Sequence, residues 1–209
     1  MQLQKYIFAT WECKKQFTTP LSKRDDRFIE ELVSILKLLK ETDFFHPTEV
    51  QLWLNKTHKI DENSDEYLTP DYWQPVLSGL LNEIAVLEVI GKTKIINNVG
   101  ESVYTENSIK IEFMGYPFEP EANDIDILII VNDDVFLPYF VVETVKKNPY
   151  YEVNSENLAN VLTKIQKLGY EVSDYKDGNA VAVIDGFYVK ERRCSDGEIV
   201  EYDVRGYVA

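Results

Sequence analysis

The chain of 209 residues carries 36 Asp and Glu against 22 Lys and Arg, a formal net charge of −14 at pH 7. A field of this sign repels nucleic-acid phosphates, which argues against a general nucleic-acid-binding protein and favours partners with basic surfaces. The hydrophobic share of 44% and the charged share of 28% are typical of a soluble globular protein, and the length allows one large domain or two small ones.

Cysteine and histidine are scarce. Cys13 and Cys194 lie near opposite ends of the chain, and both a disulfide and two free thiols are compatible with that spacing. Because the only histidines are His46 and His58, a zinc site of the usual Cys/His kind is not expected. The amino-terminal residues lack the long apolar run of a signal peptide, and no stretch approaches the length of a membrane span. We therefore expect a cytoplasmic protein without a membrane partner.

The first half of the chain predicts helices. The first covers residues 22–41, with Ser22 as its N-cap. Its apolar face at helical spacing consists of Phe28, Leu32, Ile35, Leu36 and Leu39. A second helix is predicted over residues 46–56, "HPTEVQLWLNK", because Pro47 suits a first helical turn and the apolar residues that follow can form one face.

The third predicted helix covers residues 69–88, with Thr69 as its N-cap and Pro70 in its first turn. Gly91 then introduces a β-hairpin, "KTKIINNVGESVYTEN", whose two strand-like runs flank a turn with a glycine. The predicted order in this half is therefore helix, helix, loop, helix and hairpin.

This order over residues 24–106 resembles the winged-helix domain, in which three helices precede a two-stranded wing. The resemblance implies either a DNA-binding regulator or a protein-interaction module. The third helix, which would read DNA, has acidic residues but no Lys or Arg, and the wing offers only Lys92 and Lys94 as DNA-binding residues. The resemblance therefore favours protein interaction, and DNA binding through the two wing lysines stays as an alternative.

A polar loop over residues 59–67 would carry the interaction surface. Its acidic residues are Asp61, Glu62, Asp65 and Glu66. Tyr67, Tyr72 and Trp73 follow closely, and aromatic side chains of this kind anchor many protein interfaces. The same three residues could equally pack in the core of their own domain.

The second half predicts a mostly antiparallel sheet with one helix. The helix begins after Ser155 as N-cap and ends at Gly169, and short strand-like runs surround it. We therefore predict an α+β protein with two domains, a winged-helix-like domain over residues 1–106 and a mixed α/β domain over residues 107–209.

The stretch "FMGYPFEPEANDIDILIIV" resembles the strand-turn-strand signature of nucleotidyltransferases. In that class a glycine turn precedes an Asp-x-Asp strand, which corresponds here to Gly115, Asp124 and Asp126. The resemblance implies that the two carboxylates bind Mg²⁺, that Gly115 helps to bind a nucleotide, and that a third carboxylate comes from a later position such as Asp185 or Glu191. Alternation along a strand also predicts that Asp124 and Asp126 point to the same face.

Two other interpretations of these aspartates remain open. The run from Asp124 to "YFVVETVKK" resembles the core of restriction-endonuclease-type nucleases, although Lys146 lies one position later than that pattern requires after Glu143. Alternatively, Asp124 and Asp126 are turn-forming residues at the entry of a buried strand, "ILIIV".

From these observations we expect an acidic regulatory protein that binds or inhibits a partner with a basic surface, such as a nucleic-acid-handling protein. One alternative is a metal-dependent nucleotidyltransferase that uses Asp124 and Asp126, and only this alternative requires a cofactor, Mg²⁺. The second alternative is a winged-helix DNA-binding regulator. The sequence leaves open whether the protein is an enzyme.

Overall fold

The structure is a computed structural model. It describes residues 9–19, 26–52, 56–78, 86–97, 99–106, 108–115, 123–132, 134–136, 139–141, 145–147, 149–174, 180–183, 188–195 and 198–202. None of the helices in this part of the chain has the length and apolarity needed to cross a membrane.

The described residues form three α-helices, two short 3₁₀ helices and thirteen strands. The helices are α1 (Arg27–Glu41), α2 (Pro70–Ser78) and α3 (Tyr151–Lys167), with 3₁₀ helices at Glu66–Leu68 and Asp134–Phe136. The strands are β1 (Ala9–Gln16), β2 (Phe45–Leu52), β3 (Lys56–Lys59), β4 (Leu87–Ile96), β5 (Ser102–Glu106), β6 (Ile109–Gly115), β7 (Asp124–Val131), β8 (Tyr139–Val141), β9 (Val145–Lys147), β10 (Glu171–Asp174), β11 (Ala180–Val183), β12 (Tyr188–Ser195) and β13 (Glu198–Tyr202).

Eight strands form one antiparallel sheet. Its order is β10-β1-β7-β6-β4-β2-β3, and β5 pairs with the second half of β4. The remaining strands form a three-stranded sheet, β11-β12-β13, and a two-stranded sheet, β8-β9. The prediction of an α+β protein with a mostly antiparallel sheet is thereby confirmed.

One face of the large sheet forms the hydrophobic core together with the helices. Burial alternates along β4, where every second residue from Leu87 to Ile95 is buried. Helix α1 buries all five residues of its predicted apolar face. The opposite face of the sheet carries charged side chains, including the aspartates that the sequence singled out, and further along β7 it also carries the buried Leu128 and Ile130.

The predicted helix over residues 46–56 is wrong, because this segment contributes to strands β2 and β3. Val50 is buried opposite Val89 of β4, so the apolar residue faces the core through strand alternation and not through helical spacing. Pro47 lies at a register shift between β2 and β4, a position where a strand tolerates a residue without a backbone N–H.

The third predicted helix is shorter than expected. Helix α2 ends at Ser78, residues 79–85 lie outside the described part of the chain, and β4 has begun by Leu87. Gly91 lies within β4 and not before it. A Cβ atom at this position would lie 2.3 Å from the carbonyl oxygen of His46, so the close approach of β2 requires glycine here.

The predicted hairpin is confirmed as β4 and β5, but the structure does not show the expected N-terminal winged-helix domain. Instead, β2, β3 and β4 belong to the same sheet as β6, β7 and β10. The boundary predicted between residues 106 and 107 falls between β5 and β6, which both pair with β4.

Helix α3 begins one turn earlier than predicted. Ser155 lies inside the helix, where its hydroxyl donates a hydrogen bond to the Tyr151 carbonyl, so it is not the N-cap. Gly169 has φ +91° and follows the helix, as the sequence indicated. The buried Asn154 side chain bonds both the N–H and the carbonyl of Ile96, each at 2.8 Å, which fixes the end of β4 against α3.

Candidate functional site

Asp124 and Asp126 lie on the same face of β7, as the alternation predicted. Ile125 and Ile127 between and after them are fully buried in the core, so the two carboxylates are on the opposite, charged face of the sheet. The buried strand predicted from "ILIIV" is confirmed as the remainder of β7. The pair therefore lies at the beginning of a central strand, next to β1 on one side and β6 on the other.

Lys14 of β1 lies between these two carboxylates. It is the register partner of Asp126, and its Nζ atom is 2.8 Å from Asp124 Oδ2 and 3.5 Å from Asp126 Oδ1. The hydrogen bond to Asp124 is the main influence that raises the pKa of Lys14. Partial burial lowers the pKa, and the charges of Asp126 and Asp124 raise it further. The three side chains are half-buried, with exposed fractions of 38%, 26% and 22% for Lys14, Asp124 and Asp126.

The residues present do not fit the Mg²⁺ site implied by the nucleotidyltransferase resemblance. Mg²⁺ requires near-octahedral oxygen ligands, whereas an ammonium group here lies between the two carboxylates. Across the described ranges, no group of three or more His, Cys, Asp or Glu side chains is arranged to hold a metal ion. Gly115 ends β6 opposite Ile125, and Asp185, one proposed third carboxylate, lies outside the described residues.

The other candidates of the second half have less structural support. Glu191 lies in β12, in a sheet separate from Asp124 and Asp126, where its backbone pairs with Ala180. Glu143 lies outside the described residues, and Lys146 lies in β9.

A second lysine on the charged face has the same arrangement as Lys14. Lys110 Nζ of β6 lies 3.0 Å from Glu88 Oε2 of β4 and 2.6 Å from Glu112 Oε1. Burial is the largest single influence on Lys110 and lowers its pKa, but the hydrogen bonds to Glu112 and Glu88 and the charges of these carboxylates together raise its pKa. We call these six residues the charged sheet face: Lys14, Asp124, Asp126, Lys110, Glu88 and Glu112.

The predicted polar loop follows β3, and all four of its acidic residues are exposed. Residues 61–66 are held by local hydrogen bonds. Asp61 Oδ1 accepts from the Asn63 N–H at 3.0 Å, and Ser64 Oγ accepts from the Glu66 N–H at 3.1 Å. We call residues 61–66, together with Asp71 in the first turn of α2, the acidic loop.

Two lysines contact the acidic loop. Lys40 of α1 pairs with Asp65, and Lys92 Nζ lies 2.9 and 3.0 Å from the two carboxylate oxygens of Glu62. Asp61, Glu66 and Asp71 form no ion pair with any cation in the part of the chain that the structure describes. The loop therefore carries three carboxylates that these two lysines do not neutralise.

The three aromatic residues near the loop differ in their environment. Trp73 and Tyr67 are buried in the hydrophobic core, and the Trp73 indole N–H donates to the Tyr67 carbonyl at 2.6 Å. Tyr67 and Trp73 therefore pack in the core, which is one of the two roles that the sequence allowed for the aromatic residues. Tyr72 is half-buried at the surface, and its hydroxyl lies 2.8 Å from His58 Nε2. Partial burial raises the pKa of Tyr72, and the charges of Glu66 and Asp61 raise it further.

The two wing lysines are already paired with carboxylates. Lys92 bonds Glu62, as described above, and Lys94 bonds Asp43. Asp43 also accepts hydrogen bonds from the Tyr104 hydroxyl at 2.6 Å and from His46 Nε2 at 2.8 Å. The hydrogen bonds from Lys94, Tyr104 and His46 hold the pKa of Asp43 well below its usual range.

Sequence reasoning missed Lys14, the residue that changes the interpretation of the Asp-x-Asp pair. The available signal was the alternation in β1, where Trp11 and Cys13 are buried while Glu12 and Lys14 are not. This alternation predicts a strand with Lys14 on its charged face, but it does not predict which strand lies beside it. Cys13 is a free, buried thiol, and burial raises its pKa to about 12.

Comparison with known proteins adds no assignment. The chain matches no protein-family model, no curated protein and no solved structure.

Proposed function

We propose that this chain is an acidic interaction protein, and that its acidic loop together with Tyr72 binds a partner with a basic surface. The observation that carries the proposal is the local excess of exposed negative charge. Three carboxylates of the loop, those of Asp61, Glu66 and Asp71, have no counter-ion among the described residues. Clustered, uncompensated carboxylates attract cationic side chains and steer a basic partner towards the loop.

The order within the loop supports this proposal. Besides the two side-chain bonds described above, the Ser64 N–H donates to the Asp61 carbonyl at 3.1 Å, and the Thr69 hydroxyl donates to the Glu66 carbonyl at 2.7 Å. A segment that is already ordered loses less conformational entropy when it binds, so more of its interaction energy contributes to affinity.

Tyr72 supplies the apolar part of the surface. Its ring makes edge-to-face contacts with His58 and Trp73, with centroids 5.4 and 5.2 Å apart, so its position is fixed before binding. A tyrosine with an apolar ring and a polar hydroxyl is a frequent anchor of protein interfaces. We expect the partner to present an apolar group to Tyr72 and cations to the carboxylates around it.

The partner class in this proposal is a protein with a basic surface, such as one that handles nucleic acids. Proteins of that class carry Lys and Arg clusters that neutralise phosphates, and the same clusters are complementary to a group of carboxylates. A protein that covers such a cluster competes with the nucleic acid for it. The proposed role is therefore regulatory or inhibitory.

The proposal can be tested with a fluorescent basic peptide of alternating Lys and aromatic residues, measured by anisotropy at low ionic strength. The test variant is Asp61→Asn/Glu66→Gln, and the control is Glu152→Gln/Glu156→Gln, which removes two exposed carboxylates from α3. We expect the loop variant to bind about tenfold more weakly, a change of about 1.4 kcal/mol, and the control to bind nearly as the wild type. Equal losses in both variants would mean that net charge alone attracts the peptide, and would refute the proposal.

The same assay with duplex DNA tests the alternative of a DNA-binding regulator. Lys92 and Lys94 would have to leave Glu62 and Asp43 to contact phosphates. We therefore expect no binding at low salt. Binding that weakens with a steep salt slope, and that is lost in Lys92→Gln/Lys94→Gln, would favour the alternative over the proposed function.

A further inference from the structure

We infer that Lys14 is the built-in counter-ion of the Asp124–Asp126 pair, and that it excludes divalent cations from this pair. This role of Lys14 on the charged sheet face does not depend on binding by the acidic loop. A lysine of β1 in this position is the physical reason why the pair does not fit the Mg²⁺ site that its spacing implies.

The geometry places the ammonium group where a shared cation would have to bind. Lys14 Nζ contacts one oxygen of each carboxylate, at 2.8 Å from Asp124 and 3.5 Å from Asp126. A metal ion that used both aspartates would need a position between the same two carboxylates. The two cations therefore compete for one position.

The backbone fixes Lys14 in this position. Strands β1 and β7 pair without a register shift from Ala9 to Gln16, and Lys14 is directly opposite Asp126. Directly opposed residues in an antiparallel pair have Cβ atoms about 4.5–5.5 Å apart, so the lysine reaches both carboxylates from its place in the ladder. A group held by the fold acts at a high effective concentration, on the order of mM or above, which a divalent cation in solution must overcome.

Coulomb energies oppose binding of both cations together. An ammonium and a divalent ion about 4 Å apart repel each other by about 2 kcal/mol in bulk water and by more where the site is partly buried. Two carboxylates form a weak site for a hard cation even without the lysine, so the gain expected on removal of Lys14 is a change within the weak, measurable range of affinity. In the described ranges no third His, Cys, Asp or Glu completes such a group.

The same arrangement occurs a second time on this face, since Lys110 lies between Glu88 and Glu112. The two clusters are two strand spacings apart across the sheet in the order β1-β7-β6-β4, which is about 10 Å, and they are also offset along the strands, because Asp126 is opposite Met114 whereas Lys110 is opposite Ile130. A repeated lysine between two carboxylates is explained by neutralisation of half-buried charge on a sheet. It is not a feature that a single catalytic site would require.

The inference is tested by titrating the full chain with Mn²⁺ and measuring free ion by electron paramagnetic resonance. The variants are Lys14→Gln and Lys14→Gln/Asp126→Asn, and the control is Lys37→Gln, which removes an exposed lysine of α1. We expect Lys14→Gln to bind Mn²⁺ at least tenfold more tightly than the wild type. The double variant should lose this gain, and the control should behave as the wild type.

Equal Mn²⁺ binding by the wild type and Lys14→Gln, whether tight or undetectable, would overturn the inference, because Lys14 would then not decide whether a cation enters. A second measurement does not depend on the folding of a variant. In wild-type protein, the NMR signal of the Lys14 side-chain amine should stay unchanged when Mg²⁺ is raised to millimolar concentration. A shift of that signal, with a matching shift of the Asp126 carboxylate, would also overturn the inference.

Discussion

The acidic loop and the charged sheet face both consist mainly of carboxylates, but they differ in where the counter-ions lie. On the sheet, Lys14 and Lys110 each lie between two carboxylates. In the acidic loop, Asp61 and Glu66 are exposed and have no described counter-ion. The spacing of acidic residues alone therefore does not distinguish a neutralised cluster from an uncompensated one, whereas their exposure and their counter-ions do.

The difference follows from the backbone that carries each group. In an antiparallel sheet every side chain has a directly opposed neighbour, so a lysine on one strand can lie permanently beside the carboxylates of the next. A loop outside the sheet has no such ladder, and its carboxylates project into water. We therefore expect the paired charges of the sheet to contribute to stability, and we propose that those of the loop are used for binding.

The largest expected effect comes from removing the support beneath the acidic loop. Trp73 is completely buried, so Trp73→Ala should lower the free energy of unfolding by about 3–5 kcal/mol through lost burial and the cavity left behind. Tyr72→Ala, at the adjacent half-buried position, should cost about 1 kcal/mol and mainly weaken binding of the basic peptide. Urea denaturation monitored by circular dichroism measures the first effect, and fluorescence anisotropy measures the second.

Tyr72→Phe serves as the control for this pair, because it keeps the ring and removes only the hydroxyl that contacts His58. It should retain most of the stability and most of the peptide affinity. If Tyr72→Ala proved as destabilising as Trp73→Ala with no separate effect on binding, Tyr72 would belong to the core and not to the interaction surface.

The next largest effect is a difference in stability between variants of the sheet lysine and of the lysine that contacts the acidic loop. Lys14→Met leaves two half-buried carboxylates without their shared ammonium, and we expect a loss of about 1 kcal/mol, reduced from the cost of a buried pair because Lys14 is 38% exposed. Lys92 is 35% exposed, similar to Lys14, but it pairs with a single carboxylate, that of Glu62, which is 39% exposed and stays solvated, so Lys92→Met should leave the urea midpoint nearly unchanged. A shift of the midpoint in Lys92→Met as large as that in Lys14→Met would mean that the lysines of the sheet and of the acidic loop contribute equally to stability.

Much of the fold could be predicted from local signals. Helical spacing predicted the buried face of α1, the apolar run "ILIIV" predicted the buried part of β7, and Gly169 predicted the end of α3. The predicted helix over residues 46–56 was wrong because a short segment with one proline and a few apolar residues is compatible with both a helix and a strand. Pairing with β4 decided between them, and β4 lies far away in the sequence.

In the candidate site, too, local properties could be predicted from the sequence and contacts between distant segments could not. Alternation predicted that Asp124 and Asp126 share a face, because that property depends only on β7 itself. Lys14 could not be predicted, because it reaches the pair only through the ladder between β1 and β7. Neighbouring strands in a sheet bring together residues from distant parts of the chain, and a single sequence carries no local signal for that pairing.

The smallest expected effect is a pH dependence of the free energy of unfolding that is caused by the titration of Lys14. Its pKa is raised above the unfolded value of about 10.4, chiefly by the hydrogen bond to Asp124. The stability from this contact is therefore fully present below about pH 10 and is lost as the pH rises through the folded pKa. The difference in unfolding free energy between wild type and Lys14→Met should narrow over that range, by less than about 1 kcal/mol because the lysine is partly exposed.

Parallel urea titrations of wild type, Lys14→Met and Lys37→Met between pH 8 and about 11 measure this narrowing. Ionisation of buried tyrosines such as Tyr170 destabilises all three proteins in the same range, since burial raises its pKa as well, so only the differences between the curves are informative. Lys37→Met should stay parallel to the wild type. A gap between wild type and Lys14→Met that stayed constant across the range would mean that Lys14 stabilises the sheet through packing of its aliphatic stem and not through its charge.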